Sequence, residues 1–106
     1  MMSDAADKTA ALLAALWQRN QPLVSERLAI LDRAADAAAV GTLDEGLRNE
    51  AVSAAHKLAG SLGMYGYDEG TRIAREMEVL LGGAAPDGAR LQLLCGELRA
   101  AVFPEG

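Results

Sequence analysis

The chain has little of what most functional classes depend on. Among its 106 residues there is one cysteine, Cys95, one histidine, His56, and three prolines. A single cysteine excludes an internal disulfide, and with one histidine it leaves nothing to ligate a structural zinc ion. Aromatic residues are confined to Trp17, Tyr65, Tyr67 and Phe103, too few for a platform that stacks nucleotide bases. Basic residues number 10 against 15 acidic ones, a formal net charge of -5. No cluster of Lys or Arg supplies the basic face that a nucleic-acid binder needs. No apolar run approaches the roughly 20 residues that cross a bilayer, and the acidic start MMSDAADKTA does not read as a secretory signal. Neither nucleic acid nor membrane is therefore expected as a partner. The expected compartment is the cytoplasm.

What remains is alanine, leucine and helical periodicity. With 51% hydrophobic and 24% charged residues, the composition suits one globular domain over residues 1–106. Ser3 or Asp4 is placed to cap a first helix that runs to about Arg19 with Leu12, Leu13, Leu16 and Trp17 on one side. Asn20, Gln21 and Pro22 break it, and Pro22 suits the first turn of a second helix carrying Val24, Leu28 and Leu31. Gly41 stops that helix, and Thr42 with Glu45 forms a capping-box pattern for a third. The stripe Leu43, Leu47, Ala51, Ala54, Leu58, Leu62 runs along this third helix. A fourth helix, from about Asp68 to Gly82–Gly83, carries Ile73, Met77, Leu80 and Leu81, with Gly70 weakening its first turn. Asp87 caps a fifth, with Leu91, Leu94, Leu98 and Val102 inward and Pro104 closing it. Short connections between amphipathic helices give an all-α fold: an antiparallel four-helix bundle with an additional N-terminal helix.

His56 stands in the third helix, in the small-residue run NEAVSAAHKLAGSLGMYGY from Asn49 to Tyr67. At about 100° per residue, the leucine stripe lies roughly 120 to 180° from the imidazole, so the ring points to solvent. Within about 60° of it lie Asn49, Val52, Ser53, Ala59, Gly60 and, if the helix continues, Gly63. These residues form a low surface that another protein can approach closely. Neutral imidazole is a nucleophile near neutral pH without a separate base, because one ring nitrogen keeps a free lone pair. Gly60 leaves room beside it for a phosphoryl group. Lys57 can curl toward that group as a point charge, and Ser61 can add a hydroxyl from the flank. Arg72 and Arg75 on the following helix read as solvated charges at the border of this surface. No acidic pair, cysteine cluster or second histidine supplies the rest of a hydrolytic or metal site.

At these residues the sequence resembles the histidine-containing phosphotransfer (HPt) domain of two-component phosphorelays. The match is AHKLAGSLGMYG, positions 55–66, followed by the amphipathic segment from Ile73 to Glu78. His56, Leu58, Gly60, Gly66 and Met77-Glu78 occupy the family's places for histidine, hydrophobic residue, glycines and helix end. One position departs: many members carry lysine at +3 from the histidine, where this chain has Ala59, with lysine at +1 as Lys57. The resemblance implies a helical bundle whose exposed histidine accepts a phosphoryl group from a receiver-domain aspartate and passes it to another receiver. The implied partners are the receiver domains of a hybrid histidine kinase and of a response regulator, with Mg²⁺ on the receiver and no intrinsic cofactor. The implied protein is a monomer without ATP-dependent kinase activity; its glycine run lacks the GK[ST] of a P-loop. The alternative is a non-catalytic helical adaptor that binds a receiver or kinase without phosphotransfer.

Overall fold

Pro22 does not end the first helix. The computed structural model describes residues 3–104, with side chains from residue 5, and α1 runs without a break from Ser3 to Ala39. The separate N-terminal helix expected from the sequence is absorbed into it, and four helices, not five, make up the described residues. The proline removes one backbone donor and crowds the Gln18 carbonyl, which costs a helix interior about 3 kcal/mol. Pro22 and Gln18 are both exposed, so water can reach that carbonyl. Anchors on both sides of the proline keep the helix continuous through it. Trp17 packs against Tyr65, Tyr67 and Phe103, with ring centroids 5.3, 4.9 and 5.8 Å away. Asn20 Nδ2 donates to the Leu16 carbonyl at 3.0 Å and to the Tyr65 hydroxyl at 2.7 Å. Beyond the proline, Val24, Leu28 and Leu31 are buried. At its other end α1 overshoots the bundle: residues 5–12 are exposed, Leu12 to 61%, and the molecule measures 57 × 22 × 21 Å. The cap expected at Ser3 or Asp4 lies outside the described side chains.

The remaining helices are α2 (Glu45–Met64), α3 (Asp68–Leu81) and α4 (Gly88–Val102). Gly41 closes α1 at φ +75°, a conformation that favours glycine. Thr42 belongs to this closure and not to the cap of α2: its amide and its hydroxyl both donate to the Ala37 carbonyl. Asp44 caps α2 instead, Oδ1 accepting from the Leu47 amide at 2.7 Å. Asp87 caps α4 as expected, accepting from the Arg90 amide at 3.1 Å. Two glycines allow close approach of helices. A Cβ on Gly70 would press on Leu62 and Val102, and one on Gly88 would run into the backbone of Ala38 and Ala39.

Each helix packs against its two neighbours in the ring α1–α2–α3–α4, and α4 returns to α1. Leu28, Leu31, Leu58, Leu62, Ile73, Met77, Leu81, Leu91, Leu94, Leu98 and Val102 fill the centre, and no polar or charged residue among those described is buried there. Because α2 is flanked by both α1 and α3, its buried arc is wider than the leucine stripe. Ala55 and Ala59 join Ala51, Ala54, Leu58 and Leu62 inside. Ala59, which the helical wheel places on the surface around His56, is only 6% exposed because α3 lies over it.

Candidate functional site

The α2–α3 pair sets the geometry around the histidine. Thr71 Oγ1 donates to the Ala59 carbonyl at 3.2 Å, and Arg48 Nη1 reaches the Gly83 carbonyl at 2.9 Å. These two contacts fix an antiparallel register that brings the Glu78 side chain on α3 within reach of His56 on α2. The imidazole stands out into solvent, its side chain 74% accessible, with Nδ1 3.0 Å from Glu78 Oε2. An ionised carboxylate only accepts hydrogen bonds, so Nδ1 carries the proton and donates it. In the neutral ring the lone pair is then on Nε2, the nitrogen not engaged with Glu78.

Beneath the ring runs an open groove between α2 and α3, lined by Val52, His56, Ala59 and Gly60 on one side and by Arg75, Glu78 and Val79 on the other. Gly82 and Gly83 close its end. A Cβ on Gly60 would touch nothing within 4 Å, so the space beside the imidazole is bare.

The structure divides the residues that the sequence groups around His56. Val52, Ala59 and Gly60 share its groove, with Ala59 forming part of the floor. Ser53 and Lys57 line a different groove, between α1 and α2, with Leu23, Glu26, Arg27 and Ile30. Ser61 faces α1 as well, near Asn20 and Tyr65, and its buried hydroxyl has no hydrogen-bond partner. Asn49 is exposed nearly two turns before His56, and Gly63 sits against Thr71 Oγ1. From α3 come Arg75, which the sequence sets at the border of this surface, and Glu78, whose contact with the ring sequence reasoning does not foresee. Arg72 is occupied elsewhere. It bonds Glu69 and Glu76, and its hydrogen bond holds the Glu69 carboxyl below the ordinary glutamate value. Among the described residues no group of three or more His, Cys, Asp or Glu is placed to hold a metal ion, and no helix is long and apolar enough to cross a membrane.

Comparison with known proteins places this arrangement. The family model for the Hpt domain matches residues 11–102, which takes in all of α2, α3 and α4 and most of α1. The chain belongs to the Hpt domain family. It is similar to Protein RcaC of Microchaete diplosiphon, 33% identical over 81 residues, which is 76% of this chain and 12% of that protein. The chain therefore spans about one eighth of the length of that relative. No solved structure matches it. Membership of the Hpt domain family implies histidine phosphotransfer within two-component phosphorelays. His56 is the one histidine this Hpt domain has to offer.

Proposed function

We propose that His56 Nε2 accepts a phosphoryl group from the aspartyl phosphate of one receiver domain and delivers it to the aspartate of another. A hybrid histidine kinase would carry the first receiver and a response regulator the second. The observation that carries this reading is the Nδ1–Glu78 contact of an exposed imidazole in an Hpt domain, which leaves Nε2 as the nucleophile. In the forward step the Nε2 lone pair forms the N–P bond while the P–O bond to the donor aspartate breaks, and the electron pair leaves with the carboxylate. The Nδ1 proton stays where it is. The ring thereby becomes positively charged, and the Glu78 carboxylate faces that charge. Return transfer reverses these bond changes onto the second receiver.

Mg²⁺ is expected on the receiver, where it would neutralise charge on the transferring group. The chain supplies the nucleophile, its orientation and the docking surface. That surface comprises Asn49, Val52, Ser53, Gly60 and Gly63 around the imidazole, with Ala59 as its floor. The bare space over Gly60 is the clearance for the receiver's aspartyl phosphate.

The test is incubation with a receiver charged with labelled phosphate. Acid-labile, base-stable label is expected on the wild-type chain and not on His56→Ala. Label that persists in His56→Ala overturns the assignment. Receiver binding without label on either protein would favour a non-catalytic adaptor.

A further inference from the structure

We infer that Arg75, from α3, is the cation that contacts the phosphoryl group on His56, a role that the sequence by itself offers first to Lys57. The inference rests on the reading of His56 as phosphoacceptor. It is carried by where the two cations lie. Arg75 lines the same groove as His56, Gly60 and Glu78. Lys57 lines the groove between α1 and α2, on the other flank of the helix.

The register of the two helices sharpens this placement. Glu78 meets His56 Nδ1, and Arg75 precedes Glu78 by three residues, so the two side chains share one face of α3 about one turn apart. In an antiparallel pair that turn lies from Glu78 toward the Gly60 side of the groove. Gly60 puts no side chain there. A phosphoryl group on Nε2, directed away from Glu78, therefore has open space below it and a guanidinium as its nearest cation in the groove.

Arg75 is also free to take the role. Arg72 is bound to Glu69 and Glu76, Arg90 to Glu76, Arg99 to Asp32 and Arg48 to the Gly83 carbonyl. Arg75 has no hydrogen bond or ion pair to any other described side chain and is exposed. Electrostatics call for a cation at this spot. Phosphorylation brings a strongly anionic group into a groove whose only other charged side chain is the Glu78 carboxylate, and a planar guanidinium fits phosphoryl oxygens with paired N–H donors.

The experiment loads the chain with phosphoramidate, a small anionic donor that needs no docking partner, and follows phosphohistidine by ³¹P NMR. Nε2 takes the phosphoryl group as the donor's P–N bond breaks and ammonia departs with the electron pair. Arg75→Gln is expected to load about three- to tenfold more slowly than wild type, and Arg75→Lys to recover most of the rate. Added salt should slow the wild type more than Arg75→Gln, which a merely structural role for the arginine would not produce. On loading, the Arg75 Nε–H resonance should shift. Lys57→Gln should load at the wild-type rate. An Arg75→Gln protein that loads like wild type, or a Lys57→Gln protein that alone loads slowly, overturns the inference. Neither result touches the His56 reading, which the receiver experiment decides separately.

Discussion

His56 Nδ1 lies 3.0 Å from Glu78 Oε2, a contact between residues 22 apart in sequence that joins α2 to α3 at the exposed imidazole. It links two effects in one hydrogen bond. Donation from Nδ1 fixes the tautomer and turns Nε2 outward, and the carboxylate charge opposes the positive charge that the ring gains on phosphorylation. The antiparallel register of α2 and α3 places both residues, so the bundle itself orients the imidazole. Side-chain exposure keeps the imidazole available to a partner.

Glu78→Ala should therefore change the ring before it changes the fold. Without the acceptor, the ¹⁵N spectrum of His56 should move from the Nδ1–H tautomer toward a mixture rich in Nε2–H. Transfer from a charged receiver should slow about tenfold. Glu78→Gln keeps an accepting oxygen without the charge, so it should retain the tautomer and fall between the other two in rate. An alanine variant with wild-type rate and an unchanged ¹⁵N pattern would leave the contact without a function.

Gly60 separates folding from access. A Cβ there meets nothing within 4 Å, and glycine in a helix interior costs roughly 0.5–1 kcal/mol relative to alanine. Gly60→Ala should accordingly raise the free energy of unfolding by about that much, read as an upward shift of the urea midpoint. Gly60→Leu should also fold, yet it should block transfer from a receiver while still loading from phosphoramidate, which needs far less room. If Gly60→Leu exchanges phosphate with a receiver at the wild-type rate, the bare space beside the imidazole is not a docking clearance.

Much of this was legible in the sequence because burial repeats with the helix turn. Ile73, Met77, Leu91, Leu94 and Leu98 are inside, Asp87 caps α4, and the ring of His56 is outside, all as helical spacing alone requires. What failed depended on distant partners. Pro22 is a local signal for a break, but Asn20 binds a hydroxyl 45 residues away and Trp17 inserts among rings from two other segments, so α1 continues. Thr42 and Glu45 satisfy a capping pattern, yet Asp44 lies between them with the shorter reach to the Leu47 amide. A wheel of α2 gives angles around one helix and not which neighbour covers which flank. That is why it leaves Ala59 at the surface, and why the groove that Lys57 lines, the contact of Glu78 with the ring and the place of Arg75 beside it emerge only when the neighbouring helices are laid in register.

The proline makes its own prediction. Pro22 is exposed in a helix whose flanking contacts are made by other residues, so Pro22→Ala restores a backbone donor and relieves the Gln18 carbonyl without removing packing. The gain is smaller than the full proline penalty because alanine also frees the unfolded chain. Stabilisation of about 1–2 kcal/mol is expected in chemical denaturation, with phosphotransfer unchanged. A loss of stability would show that the proline ring sustains α1 in a way its exposure does not suggest.

Cys95 sets a limit on stability at high pH. It is 7% exposed on α4, and burial, reinforced by the negative charge of Asp32 and a hydrogen bond to it, pushes its thiol up to about 12. In the unfolded chain the thiol titrates near the ordinary value of 9.0. Between those two values the unfolded chain has released a proton that the folded one retains, so stability must fall as pH rises through this interval and is unaffected below it. Comparing wild type with Cys95→Ala isolates the effect: the alanine variant starts less stable because of the lost sulfur, and the gap should narrow by on the order of 2 kcal/mol between pH 8 and pH 11. The native thiol should also resist iodoacetamide at pH 8 and react once urea unfolds the chain. A stability gap independent of pH, together with rapid alkylation of the native protein, would mean that the sulfur is reached by solvent and that α4 does not seal it against α1.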